Sequence, residues 1–152
     1  MDDSIIEYEV EVHPDGSEYW TIDGKLTRYD GPAITDLWGS KYYYIDNQLD
    51  RTDGPAVIHL DGDEFYYREG QMHRSGGPAA IFSNGDLAWW EYGKRHNLEG
   101  PAVVYADGGE YYFIHGQRYN EEVFHDEVRI IKEEREGNWS TTHKFNQGYD
   151  TW

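Results

Sequence analysis

Residues 54–76, GPAVIHLDGDEFYYREGQMHRSG, form one copy of a 23-residue unit on which the fold of this chain depends. The phrase that opens the unit recurs every 23 residues, at Gly31-Pro32-Ala33, Gly54-Pro55-Ala56, Gly77-Pro78-Ala79 and Gly100-Pro101-Ala102. Such equal gaps indicate an internal repeat. Other columns of residues extend it to five units, residues 8–30, 31–53, 54–76, 77–99 and 100–122, of which the first lacks Gly-Pro-Ala.

Each unit predicts two β-strands joined by a tight turn. A short apolar run such as Ala56-Val57-Ile58 follows the proline, which has no N–H and therefore suits the start of a strand. The Asp61-Gly62 step comes next and favours a hairpin, because both residues tolerate positive φ. A second strand then carries three mostly aromatic positions, and a second turn follows at Gly24, Asn47, Gly70, Gly93 and Gly116.

The aromatic positions predict two ring-bearing faces, because side chains alternate across a strand. The middle rings share one face: Trp20, Tyr43, Tyr66, Trp89 and Tyr112. Their neighbours, including Tyr44, Tyr67 and Trp90, share the other. Stacked hairpins cover the apolar surface of one another. The predicted fold is therefore mainly β, a single-layer antiparallel β-hairpin repeat solenoid over residues 1–120.

The repeat stops after Tyr119, and a helix is predicted at 120–137. Asn120 suits the N-cap position, and Phe124, Val128 and Ile131 form one apolar stripe. Such a helix either caps the last hairpin, whose open edge would otherwise invite aggregation, or docks a partner. The segment 138–152 is rich in aromatic residues, among them Trp139 and Trp152, and either packs back on the solenoid or serves in recognition.

The charge of the chain bears on its partners. Thirty acidic and 13 basic side chains leave a net charge of -17, and no segment is basic. Such a surface repels nucleic acid and anionic lipid and attracts basic proteins. The absence of cysteine suits a reducing compartment, and the acidic N-terminus is unlike a signal peptide. We therefore expect a cytoplasmic protein, in the host cytoplasm if the source is viral, with a basic protein partner and no direct contact with nucleic acid or membrane.

Motifs that would indicate an enzyme or a metal site are missing from the sequence. No two histidines have the close spacing of metal ligands, and Asp61-Gly62-Asp63-Glu64 lacks the remaining ligands of a calcium loop. Nucleophile elbows, phosphate-binding loops and dinucleotide fingerprints are also missing. We therefore predict a non-catalytic protein without a metal or cofactor.

The residues Trp90-Glu91-Tyr92-Gly93-Lys94-Arg95, followed by Gly100 to Tyr111, resemble a MORN repeat. MORN units also have 23 residues, with an aromatic–Gly-Lys phrase, a strand that starts with small residues, and then Asp-Gly and Tyr. The resemblance covers about residues 8–120 and departs where Gly-Pro-Ala replaces the Gly-x-Gly of the standard pattern. This variant is similar to repeats in uncharacterised phage, large-virus and bacterial proteins. The family implies a groove-bearing antiparallel sheet that binds proteins, in some members lipids, and it implies no catalytic residues.

We therefore expect a repeat surface that binds a protein. One version is an inhibitor, an immunity protein or a phage anti-defence protein that blocks a nucleic-acid-handling partner. The alternatives are a module that holds a glycan or nucleotide in an aromatic groove, and a structural or membrane-associated scaffold. Self-association through the open ends of the sheet is a further expectation. The candidate protein-binding residues are Trp20, Tyr43, Tyr44, Tyr66, Tyr67, Trp89, Trp90, Tyr112, Trp139 and Trp152.

Overall fold

The computed structural model describes residues 4–137, which form a mainly β structure with one helix. The strands are β1 (Glu9–Val12), β2 (Glu18–Ile22), β3 (Lys25–Leu26), β4 (Ile34–Thr35), β5 (Lys41–Tyr42), β6 (Tyr44–Ile45), β7 (Gln48–Leu49), β8 (Val57–Ile58), β9 (Glu64–Phe65), β10 (Tyr67–Arg68), β11 (Gln71–Met72), β12 (Ala80–Ile81), β13 (Leu87–Ala88), β14 (Trp90–Glu91), β15 (Lys94–Arg95), β16 (Val103–Val104), β17 (Glu110–Ile114) and β18 (Gln117–Tyr119). The helix is α1 (Glu121–Arg135).

One open antiparallel sheet runs through all five units. Its strand order is β1-β2-β4-β5-β8-β9-β12-β13-β16-β17-β18, with β3 beside β2. Each unit after the first thus adds one hairpin to the sheet, as in the pairing of β8 with β9. This arrangement confirms the predicted fold of antiparallel hairpins in a single open sheet followed by a C-terminal helix.

The inner units contain a second hairpin that the two-strand prediction did not separate from the first. It pairs β6 with β7, β10 with β11 and β14 with β15. The break between the two hairpins falls on the middle one of the three aromatic positions. In unit 2, the N–H of Tyr43 donates to Ala56 of the next unit at 2.7 Å, and its carbonyl accepts from Asp50 at 3.0 Å. Tyr43 is therefore a corner that joins the main sheet to the second hairpin.

The two turns of each unit differ in backbone geometry. At the first turn only the glycine has positive φ, for example 98° at Gly62, and the Gly62 N–H donates to the carbonyl of His59 at 3.0 Å. The second turn has two consecutive positive φ values, as at Tyr92 (45°) and Gly93 (80°). That pattern is typical of a type I′ turn, whose twist matches that of paired strands. The Asp61-Gly62 step thus makes a turn, but Asp61 itself does not adopt positive φ.

The core is built from small residues under rings. The alanines of the Gly-Pro-Ala phrases are fully buried in all four copies: Ala33, Ala56, Ala79 and Ala102. On the other face, a cluster of Ala80, Ala88 and Val103 packs against rings that include Trp90. The helix closes the C-terminal end, where its Phe124 (1% exposed) and Val128 (7%) pack against the last unit. The helix thus packs on the last unit, as the first of its two predicted roles requires.

Candidate functional site

An arginine lies over the middle ring of each of the first three units. The Cζ atoms of Arg28, Arg51 and Arg74 lie 3.6, 3.8 and 4.0 Å from the ring centroids of Trp20, Tyr43 and Tyr66. Each guanidinium also donates to the proline carbonyl four residues later, as from Arg51 Nη1 to Pro55 at 3.0 Å. The glycine before that proline makes room, because a Cβ atom on Gly54 would lie 3.0 Å from the Arg51 Cζ. Arginine, ring and Gly-Pro-Ala are thus one repeated structural arrangement.

The face that carries these arginines holds a shallow groove along units 1 to 4. It has three sections of about 530, 410 and 690 Å³, and neighbouring sections share lining residues. We call it the arginine groove; its lining includes Arg28, Arg51, Arg68, Arg74, Arg135, Tyr43, Tyr66 and Trp89. The groove therefore collects five arginines of a chain that has an excess of acidic residues.

Carboxylates neutralise most of the charge in the first two sections of the groove. Arg28 Nε lies 2.8 Å from Asp30, Arg51 Nε lies 3.0 Å from Asp53, and Arg68 Nε lies 2.9 Å from Asp50. The hydrogen bond from Arg28 holds the pKa of Asp30 below its ordinary value. Arg74 differs, since Gly76 stands at the position of Asp53 and Arg74 forms no ion pair within residues 4–137. The groove is thus not a continuous cationic surface.

Two histidines that line the third section connect successive units. Nδ1 of His73 accepts from the N–H of Tyr92 at 3.2 Å, and Nδ1 of His96 accepts from the N–H of His115 at 3.0 Å. Burial lowers the pKa of His96, although Glu91, whose carboxylate lies 3.3 Å from Nε2, opposes this shift. A neutral imidazole suits this position, because Nδ1 must keep its lone pair to accept the bond. These histidines therefore hold successive second turns together by hydrogen bonds.

The first turns of the units form a second candidate surface, which sequence analysis did not single out. We call it the turn edge and define it as residues 13–17, 36–40, 59–63, 82–86 and 105–109. Its exposed apolar side chains are Leu37 (47% exposed), Trp38 (66%), Leu60 (68%), Phe82 (37%) and Tyr105 (42%). The same segments contain six aspartates and no lysine or arginine. Large apolar residues close to a turn glycine are the available signal, but the repeat pattern assigns Leu60 and Tyr105 to the first strands and does not mark the others as a surface.

The candidate residues predicted from sequence occupy several environments. Trp20, Tyr43 and Tyr66 lie under arginines, and Tyr112 lies under Phe124 with ring centroids 4.7 Å apart. Burial of the Tyr112 hydroxyl, with Glu121 and Glu110 nearby, raises its pKa.

The remaining candidates divide among the groove, the opposite face and the C-terminal segment. Trp89 lines the third section of the groove. Tyr44, Tyr67 and Trp90 are half-buried in the second hairpins. Trp139 and Trp152 lie outside the described residues.

Neither a metal site nor a membrane span emerges from the described part of the chain. Within residues 4–137, no three His, Asp or Glu side chains come together as metal ligands. The one helix in that range is too short and too polar to cross a bilayer.

Comparison with known proteins does not identify a family. No family model matches the chain, and no curated protein matches it significantly. The resemblance to MORN repeats therefore stays a prediction that rests on the residues named above.

Proposed function

We propose that this chain is a non-catalytic, MORN-like repeat protein that binds a basic protein partner through the turn edge. The observation that carries the proposal is the composition of that edge, where five exposed apolar side chains stand among six aspartates without a lysine or arginine. Aromatic and large apolar groups are frequent anchors of interfaces, and a charged rim steers a partner of opposite sign. A cysteine-free chain suits the cytoplasm, where we expect the partner.

Inhibition is the form of binding that the charge favours. Proteins that handle nucleic acid carry basic surfaces for phosphate contacts. An acidic repeat surface with apolar anchors could occupy such a surface and exclude the nucleic acid. We therefore extend the proposal to an inhibitor, an immunity protein or an anti-defence protein.

A salt-dependent capture experiment tests the proposal. The immobilised chain should retain a basic host protein at low salt and release it as ionic strength rises. A Trp38→Ser/Leu60→Ser double variant should weaken retention by roughly tenfold or more, since buried anchors each contribute on the order of 1–2 kcal/mol. Both side chains are more than half exposed, so the variant should remain folded. Ile5→Ser/Ile6→Ser is the matched control, because both residues are more than half exposed but lie outside the turn edge and the groove lining.

Two results would contradict the proposal. One is the capture of only acidic proteins, or of a protein whose retention does not respond to salt. The other is equal retention by the wild type and the double variant, which would show that the turn edge is not the contact surface.

A ligand-binding function is the second candidate, and Trp89 in the arginine groove is the observation that favours it. The ring lines the largest of the three sections, about 690 Å³, beside Arg74 and Arg135. A glycan or nucleotide could stack on such a ring. Saturable quenching of tryptophan fluorescence by a glycan or nucleotide, lost in Trp89→Leu, would favour this function over protein binding.

A further inference from the structure

Trp89 is the one middle ring that lacks the cover given to its four counterparts within residues 4–137. Arginines lie over the rings of units 1 to 3, and Phe124 of the helix covers Tyr112 in unit 5. In unit 4 the position of Arg28, Arg51 and Arg74 is held by Asn97, and no arginine or lysine of the described residues lies over the Trp89 ring. The repeat thus contains a ring whose usual partner is missing.

Asn97 replaces only part of what the arginine does. Its Nδ2 donates to the carbonyl of Pro101 at 2.9 Å, which preserves the bond that Arg51 Nη1 makes to Pro55. Its side chain is too short to extend further over the ring. A Cβ atom on Gly100 would lie 4.0 Å from Asn97 Nδ2, whereas one on Gly31 would lie 2.9 Å from Arg28 Cζ. Space that a guanidinium fills in the earlier units is therefore open in unit 4.

Carboxylates at this position match those that hold the internal arginines. Glu99 stands at the repeat position of Asp30 and Asp53, which accept from the arginine Nε atoms. Glu99 is exposed and paired with Lys132 of the helix at 3.3 Å, and Glu91 also lines the section. Ring, carboxylates and open volume are thus present together.

Arg74 and Arg135 also line this section and would attract an anion. Arg74, however, already stacks on Tyr66 and donates to Pro78 at 3.1 Å. The repeated geometry shows what a ring at this position accepts, in three examples from the same chain. That internal precedent favours a guanidinium over an anion as the occupant of the Trp89 position.

We propose that the third section of the arginine groove receives an arginine side chain from the protein partner, which stacks on Trp89 and pairs with Glu91 or Glu99. This inference rests on the proposed function, since it names one contact that a basic partner would make. Arginine suits the position better than lysine, because its planar guanidinium stacks on a ring while its N–H groups still reach carboxylates. The partner would thereby complete a column that the chain itself leaves incomplete.

The direct test uses a peptide that carries a single arginine, acetyl-Gly-Arg-Gly-amide, titrated into the full chain. The indole N–H signal of Trp89, assigned with Trp89→Leu, should shift saturably in NMR spectra with a Kd on the order of millimolar. The lysine counterpart should bind more weakly, and inorganic phosphate should leave the signal unchanged.

The decisive variant is Asn97→Arg, which supplies the missing side chain from within. It should weaken binding of the arginine peptide by about tenfold, the scale of a stacked cation, because the ring is already occupied. Gln71→Arg is the matched control, because it makes the same change of charge at an exposed position outside the groove lining. Trp89→Leu, followed through the backbone amide signals because it lacks the indole, should no longer bind the peptide although its circular dichroism spectrum is unchanged.

Three outcomes would overturn the inference: saturation by phosphate instead of the arginine peptide, equal binding to the wild type and Asn97→Arg, or no saturation. The proposed function fails or survives separately. If Asn97→Arg keeps full capture of the basic partner while the turn-edge variant loses it, the inference is wrong and the proposed function stands. If the peptide binds at Trp89 but no basic protein is captured, the groove accepts an arginine side chain and the proposed function is wrong.

Discussion

The glycines that open the first three Gly-Pro-Ala phrases have no side chain, and this leaves room for an arginine guanidinium above each of them. Gly31 does not have positive φ, so backbone freedom does not explain it. It is required because the Arg28 guanidinium lies so close that a Cβ atom would meet Cζ at 2.9 Å. The close approach lets one side chain contact a ring, a carboxylate and a carbonyl at once.

Substitution of these glycines by alanine should therefore differ between units. Gly31→Ala should lower the free energy of unfolding by about 1 kcal/mol, since Arg28 must leave its ring and its carbonyl partner. Gly100→Ala should be neutral or slightly stabilising, by up to about 0.5 kcal/mol, because alanine restricts the unfolded chain and meets only Asn97 Nδ2 at 4.0 Å. Urea denaturation of both variants measures the difference. Equal effects would contradict the role given to the guanidinium.

His96 should make stability depend on pH. Because burial lowers its pKa in the folded chain, the unfolded chain binds more protons below the ordinary value of 6.5. Its contribution to stability is therefore complete above pH 6.5 and declines as the pH falls from 6.5 towards the lowered pKa. The groups that face it are Glu91, His115 and Arg135.

Urea denaturation at pH 7.5 and pH 5 should show this dependence. It should become weaker in His96→Gln than in the wild type, because a glutamine at position 96 does not bind a proton. An unaltered dependence in His96→Gln would mean that His96 does not couple protonation to folding.

At the scale of elements, the C-terminal helix takes the place that the arginines hold elsewhere. Asn120 begins it by accepting from the N–H of Val123 at 2.9 Å, and its buried stripe lies on Tyr112 and Ile114. Phe124 lies above Tyr112 much as Arg51 lies above Tyr43. The last unit therefore ends the column with an apolar cover.

Phe124→Ala should lower the free energy of unfolding by about 3–5 kcal/mol, because it removes a fully buried ring from the end of the array. Glu122→Ala, in the exposed first turn, should change it by only a few tenths of a kcal/mol. Denaturation followed by circular dichroism distinguishes the two. A loss below 1 kcal/mol for Phe124→Ala would show that the helix does not hold the last unit.

Much at this scale could be predicted from the sequence, because period, turn residues and apolar stripe act locally. The spacing of Gly-Pro-Ala identified the hairpins, and Asn120 with Phe124 and Val128 identified the helix. The corner at Tyr43 could not be predicted in this way. Its hydrogen bonds go to Ala56 of the next unit and to Asp50 of its own, and only the stacking of units determines that exchange.

The candidate surfaces were less predictable for the same reason. Sequence alternation placed Trp20, Tyr43 and Tyr66 on one face, but it could not show that arginines eight residues later fold back over them. It also gave no reason to join Trp38, Leu60 and Phe82, which lie in different units. Hydrogen bonds between successive first turns, from Leu60 to Ser40 and from Ser83 to Asp63, place these turns side by side.

For the whole molecule, the two ends of the sheet are unequal. The C-terminal end is covered by the helix, whereas β1 has all four residues exposed and, among residues 4–137, pairs with β2 alone. An edge strand of this kind can pair with another chain. Glu9 and Glu11 alternate with Val10 and Val12 along it, so like charges oppose the pairing of two copies at low salt.

Self-association through β1 should accordingly increase with salt and with protein concentration. Val12→Glu should suppress it, because Val12 is 62% exposed at the edge and a further carboxylate adds repulsion. Light scattering at high salt measures the effect. Tyr105→Glu makes the same change of charge in the last unit and should behave as the wild type; equal suppression by both variants would rule out the β1 edge as the contact.

At three places a backbone N–H group donates to a side-chain oxygen of the preceding unit. The bonds run from Leu60 to Ser40 Oγ at 3.0 Å, from Ser83 to Asp63 Oδ1 at 2.7 Å and from Ala106 to Asp86 Oδ1 at 2.7 Å. These bonds require that successive units keep a spacing of 23 residues. Deletion or insertion of one inner unit of 23 residues keeps these first-turn donors opposite equivalent acceptors and changes the span by two strands, about 10 Å. A deletion or insertion of another length inside a strand moves these donors away from their acceptors. The length of the sheet can therefore change only by whole 23-residue units.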